Sequence, residues 1–292
     1  MKKSLLAFAV FSLTIIGCEN KKTTEKGTTP TEKPTLSSMT YTDHHSFSKP
    51  NEAVVKHLNW VATVNFDKKI ISASATYQIE NKKGVDSIFL DVRNLKITSV
   101  STDDNKDAIG FAVNERADFL GGQLAIPIDE STKSITINYE TTEGADALQF
   151  LDPEQTAGKK SPFLFTQSQA ILARTWLPCQ DSPGIRFTYE ATVTVPKGML
   201  ALMSATNPQE KNETGVYTFK MEQAIPSYLF ALAVGDVEYQ SLGSVTGVYA
   251  EPSVLESAAY EFADMQDMVD TAETLYGPYQ WGMYDVIVLP PS

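Results

Sequence analysis

Between Leu58 and Val195, segment after segment puts apolar residues on every second position, a period that points to strands rather than helices. Leu58, Trp60, Ala62, Val64 and Phe66 alternate with mostly polar neighbours. A turn follows at Asp67-Lys68-Lys69, and Ile71, Ala73, Ala75, Tyr77 and Ile79 resume the period. Two such runs around a short polar turn predict a β-hairpin. Further strands are predicted at residues 87–92, 95–100, 110–113, 124–128 and 134–141. Another is predicted where Phe187, Tyr189, Ala191, Val193 and Val195 alternate with Thr188, Glu190, Thr192 and Thr194. Residues 215–221 and 228–239 read as two more. The second is apolar on both faces over 229–234, as expected of a covered, central strand.

The period then changes. Ser253-Val254-Leu255-Glu256 has the pattern of a capping box. Leu255, Ala258, Ala259, Phe262, Met265, Val269, Ala272 and Leu275 follow at helical spacing, and Gly277 falls where an αL cap would end the helix. Residues 284–289 predict a short buried strand. The fold class expected is mainly β, with a complete β domain over 43–240 and the beginning of a second, helix-containing domain over 241–292.

Composition narrows the function classes. Lysine and arginine total 24 against 36 acids, a net charge of -12, so no basic surface for nucleic acid is expected. Two cysteines, Cys18 and Cys179, are too few for a disulfide framework. Residues 1–17 read as a secretory signal, with Lys2 and Lys3 ahead of an apolar run too short for a confident membrane span. The ending Ile15-Ile16-Gly17-Cys18 resembles the lipobox of bacterial lipoproteins. That resemblance implies a lipid on Cys18, and so a membrane partner and an exported, lipid-anchored location. Residues 18–42, rich in Lys, Thr, Glu, Ser and Pro, cannot bury enough apolar surface to offset chain entropy and read as a flexible tether. Cys179 has no histidine near it in sequence and reads as a small buried hydrophobe. His44 and His45 are adjacent and poorly spaced for a metal, and a solvated or capping role is expected of them.

The polar stretch TQSQAILARTWLPCQDSP, residues 166–183, sits between these strands. Gln167 and Gln169 are two apart, so in an extended segment both amides point the same way. Spacing alone leaves two readings open. Either the glutamines satisfy nearby main chain in a buried polar loop, or they offer uncharged donors and acceptors to the end of a peptide. Arg174, Trp176 and Asp181 are expected to fix the loop.

Four segments, SFSKPNEAVVKHLNW, TQSQAILARTWLPCQDSPGIRFTYEATVTVP, AIPSYLFALAVGDVEY and YGPYQWGMYDVIVLPPS, resemble the zinc aminopeptidases of the aminopeptidase N and leukotriene hydrolase family, the leukotriene hydrolase branch most of all. The resemblance runs from about Asp43 to Ser292. It implies a saddle-shaped, multi-sheet N-terminal β domain followed by the start of a thermolysin-like α/β catalytic domain, with peptides as substrates. It further implies that Gln167, Ser168, Gln169 and Ala170 hold the substrate's free N-terminus, Gln169 foremost. Tyr279 and Trp281 are expected in the core beneath the catalytic site.

The chain departs from the family pattern in its metal chemistry. Its three histidines are His44, His45 and His57, so it contains no H-E-x-x-H, and it contains no G-x-M-E-N. The expectation is therefore a zinc enzyme at full length, with no catalytic zinc bound and no peptide hydrolysed by these 292 residues alone. The alternative is a non-catalytic lipoprotein that keeps the β domain as a binding or scaffolding module.

Overall fold

The computed structural model describes residues 43–105, 107–115 and 119–291. The signal segment, Cys18 and the tether lie outside the described residues, which all belong to one compact unit.

Sixteen strands and two helices are formed by the described residues. They begin with the hairpin β1 (Ala53–Asn65) and β2 (Ile70–Asn81), then β3 (Ser87–Val92), β4 (Lys96–Thr102), β5 (Ala112–Glu115), β6 (Gly122–Pro127) and β7 (Ser134–Glu140). There follow β8 (Leu148–Leu151), β9 (Phe163–Thr166), β10 (Arg186–Thr194), β11 (Leu200–Met203), β12 (Val216–Pro226), β13 (Leu232–Gly235), β14 (Glu238–Ser241) and β15 (Thr246–Ala250). Helices α1 (Leu255–Glu261) and α2 (Met265–Tyr276) precede β16 (Tyr284–Ile287).

The largest sheet has the order β12-β10-β1-β2-β7-β4, and β1 pairs with β10 in parallel. Its alternation is the one read from sequence: Leu58, Trp60, Ala62 and Val64 are buried while their neighbours face outward. Trp60 lies opposite Ala75 on one flank and Ala191 on the other, so small residues on both neighbouring strands leave room for its indole. Its Nε1 donates to the Tyr139 hydroxyl at 2.9 Å. Three smaller sheets, ordered β11-β13-β9-β8, β3-β6-β5 and β14-β15-β16, complete the architecture.

The strands that sequence periodicity does not reveal are β8, β9, β11 and β15. The first two are four residues long, too short to display a period, and β11 and β15 are buried at every position, so neither alternates. The single strand expected over 228–239 is divided. Ser227–Leu229 forms a 3-10 turn, because the Ser227 hydroxyl is drawn to Asp181 Oδ1 at 2.6 Å, and only β13 is central as expected.

The C-terminal part differs from expectation in several ways. The capping box does not form: Val254 occupies the N-cap with no side-chain bond, and its N–H closes a turn onto Glu251 O at 2.9 Å. One predicted helix is two, broken around Phe262 and Asp264. β16 is partly exposed rather than buried, since among the described strands only β15 pairs with it. Trp281 is 44% exposed and lies outside the core. Gly277 does end α2 with its N–H on Glu273 O at 2.9 Å, but its φ of +90° and ψ of 176° lie outside the αL region expected of it. The main core spans the sheets, while Val248, Ala250, Ala258 and Ala259 form a separate small cluster.

Candidate functional site

The loop after β9 is pinned from several directions. Thr166 Oγ1 accepts from Leu232 N at 3.0 Å, and Gln167 N donates to Ala147 O at 2.8 Å. Ser168 is 3% exposed, and its Oγ accepts from the buried Trp176 Nε1 at 3.0 Å. Its side chain therefore braces the loop from inside. Gln167, Gln169 and Ala170 are exposed around it, with Gln169 and Ala170 in a turn rather than the extended segment that the spacing argument assumes. Gln167 Oε1 accepts from Gln169 N at 3.0 Å, which realises the local main-chain reading for that one amide. The Gln169 carboxamide makes no hydrogen bond to the described residues. The peptide between Gln169 and Ala170 is cis.

Beneath the loop, residues 173–182 are buried without interruption, although the segment contains an arginine, an aspartate and a glutamine. Arg174 is 0% exposed, so each of its donors needs a partner. Nε reaches Asp181 Oδ2 at 3.0 Å, Nη1 reaches Leu120 O at 2.8 Å, and Nη2 reaches His45 O at 2.7 Å. A second carboxylate, Asp91, lies 3.8 Å from Nη1. It accepts from Ser46 Oγ at 2.5 Å, Phe47 N at 2.7 Å and Asp181 N at 2.9 Å. Burial pushes the Asp91 carboxyl above the ordinary range, while Arg174 and these donors pull it back. Gln180 joins β1 to β3 by accepting from Val55 N at 3.0 Å and donating to Ala53 O at 3.0 Å and Phe89 O at 3.3 Å. Arg174, Trp176 and Asp181 thus fix the loop, as expected.

An aromatic cluster carries the same segment. Trp176 stacks on Phe230 with centroids 5.1 Å apart, and Trp60 meets both rings edge-on. Cys179 is buried beside Asp91 and Asp181, and burial above all pushes its thiol well above the ordinary value, so it is no nucleophile.

Sequence reasoning did not single out Asp91, Glu251 or Asp285. Asp91 was legible only as a charge near the end of an apolar strand. Glu251 clasps the Ala157 and Gly158 N–H groups at 2.8 and 2.7 Å, a contact between distant loops that leaves no local pattern.

The described residues do not fit a zinc ion. Among them no three His, Cys, Asp or Glu side chains converge, and His57 Nδ1 shares a hydrogen with Thr188 Oγ1 at 2.7 Å. No helix among them is long and apolar enough to cross a membrane. An apolar concavity of about 680 Å³ runs along α2 and the following segment past Met268, Tyr279 and Trp281.

Comparison with known proteins gives consistent matches. The Peptidase M1 N-terminal domain matches residues 54–229. The chain is 39% identical over 261 residues to leukotriene A-4 hydrolase of Xenopus laevis, covering 86% of this chain and 42% of that protein. It is 35% identical over 263 residues to leucine aminopeptidase 2 of Yarrowia lipolytica, covering 89% and 39% respectively. The chain therefore spans about two fifths of these relatives. Among solved structures, native leukotriene A4 hydrolase from Saccharomyces cerevisiae superposes with a TM-score of 0.77 at 31% identity, over 85% of this chain and 40% of that one. An M1 zinc metallopeptidase from Deinococcus radiodurans bound to a Tyr-Ser-Ala substrate shares the fold, with a TM-score of 0.65 at 19% identity, over 84% and 58%.

Proposed function

The chain belongs to the peptidase M1 family, whose N-terminal domain it carries, and on that premise we propose that it is the substrate-holding part of a zinc-dependent aminopeptidase. In this reading the enzyme removes N-terminal residues from peptides outside the cytoplasm and is held to a bacterial membrane by a lipid on Cys18. The observation that carries the reading is the exposed carboxamide of Gln169, without a hydrogen bond to the described residues, on a loop braced by buried groups.

An uncharged amide suits the first residue of a peptide. Its Oε1 accepts from the protonated α-amine, while its NH2 group donates to a carbonyl. Gln167, tied through Oε1 to Gln169 N, holds the main chain at the point where Gln169 projects. Bracing by Ser168 and Trp176 means that little loop freedom is lost on binding. Ala170, exposed beside them, leaves space for the incoming chain. The metal ligands of such an enzyme would be residues other than those described, and this chain by itself hydrolyses no peptide.

The alternative is a non-catalytic binding module. Against it stand Tyr260, Leu275 and Tyr276, which are largely exposed on and beside α1 and α2 and suit a surface covered by further polypeptide. The test uses the protein produced from the natural reading frame, assayed on leucine p-nitroanilide. Chelator-sensitive hydrolysis is expected, with kcat/KM falling about tenfold or more in Gln169→Ala, the loss of one charge-assisted hydrogen bond. No hydrolysis, or an unchanged Gln169→Ala, sinks the reading. Retention of Cys18→Ser in the membrane fraction would remove the lipid anchor from it.

A further inference from the structure

Asp285 carries a buried Oδ1 with no hydrogen-bond partner among the described residues. It stands in β16 and lines a cavity of about 230 Å³ between that strand, the residues after β11 and the turn before β13. Every other lining residue is uncharged. Met203, Met221 and Leu229 supply aliphatic and thioether walls, and Tyr279 and Trp281 supply aromatic ones. The Ser204 hydroxyl donates to Leu229 O and ties two walls together.

A buried carboxylate oxygen without a donor is costly, and the chemistry that relieves it is a donor bearing positive charge. The walls add two further demands. Aromatic rings attract a cation, and the methionine and leucine surfaces reward an apolar stem. An anion would be repelled, and a neutral apolar molecule would leave Oδ1 as it is. The volume corresponds to about eight groups of water's share, ~30 Å³ each, which accommodates a four-carbon stem and its head. We propose that this cavity binds a protonated primary amine on a short aliphatic stem, with the ammonium on Asp285 and the stem against Met203 and Met221. Burial holds the Asp285 carboxyl above the ordinary range, as befits an acid with no cation beside it. The two sources of that chemistry are a free alkylamine and the side chain of a lysine in a peptide. Loss of the peptidase reading would leave this cavity chemistry unchanged.

The probes are n-butylammonium chloride, n-butanol as its neutral counterpart, and Nα-acetyl-lysine N-methylamide, titrated into the whole chain by calorimetry. Saturable binding of n-butylammonium is expected, with no binding of n-butanol and at least tenfold weakening in Asp285→Asn. Binding of the lysine derivative at similar strength identifies a side-chain site, and its failure to bind beside a bound n-butylammonium identifies a free-amine site. Leu229→Trp, placed at an exposed wall, should block the cavity without touching the carboxylate. Equal binding of n-butanol, unchanged binding in both variants, or no binding of n-butylammonium overturns the proposal.

Discussion

Replacing Arg174 with methionine keeps most of the side chain's volume but removes the cation that faces two buried carboxylates, Asp91 and Asp181. Asp181 then loses its 3.0 Å contact to Nε and keeps Ser227 Oγ, while Leu120 O and His45 O lose their guanidinium donors. Breaking a buried pair from one side leaves an uncompensated charge, which costs about 3–5 kcal/mol. With a urea dependence of about 2–3 kcal/mol per molar, the unfolding midpoint should fall by roughly 1–2 M. The loss should also depend on pH. Asp91 is already held above the ordinary carboxylate range by burial, and Arg174 is the largest influence opposing that shift. Without Arg174 its folded-state value rises further. A carboxyl raised on folding binds more protons folded than unfolded, so stability falls as pH rises from the unfolded-state value, about 3.9, through the folded-state one. The deficit of Arg174→Met should therefore be smaller at pH 5 than at pH 8. Urea titrations of both proteins at the two pH values, followed by far-ultraviolet circular dichroism, give the comparison. A deficit under 1 kcal/mol, or one of equal size at both pH values, would refute the account of Arg174 as the charge that permits this loop to be buried.

Three further outcomes are expected. In a Cys18→Ser chain, Cys179 should stay unlabelled by a disulfide reagent at pH 8 until denaturant is added, because burial raises its thiol and hides it; rapid stoichiometric labelling of the folded chain would contradict this. Gln169→Ala should change stability by no more than about 0.5 kcal/mol in urea titration, since its carboxamide is exposed and makes no bond to the described residues. Gly235→Ala should destabilise by roughly 1–3 kcal/mol, because the added Cβ would overlap the buried Phe163 ring; a thermal midpoint equal to that of the unaltered chain would show that the ring yields freely.

Local pattern decided a large part of this protein. Wherever one face of a strand meets the core and the other meets water, as in β1, β2, β7 and β10, the sequence carries a period of two and the strands appear where it places them. Tertiary structure decided the rest. β11 and β15 are covered throughout and show no alternation, so their existence depends on what packs over them. The helical run from Leu255 reads as continuous, yet it breaks around Phe262, and its predicted cap is left unused. Asp91 and Asp181 are ordinary aspartates in the sequence. Only the arrival of Arg174 between them, together with donors from Ser46, Phe47 and Ser227, makes their burial tolerable. Pairing between strands is short-ranged and leaves its mark residue by residue, whereas satisfaction of a buried charge draws on segments more than a hundred residues apart and leaves no mark in either one.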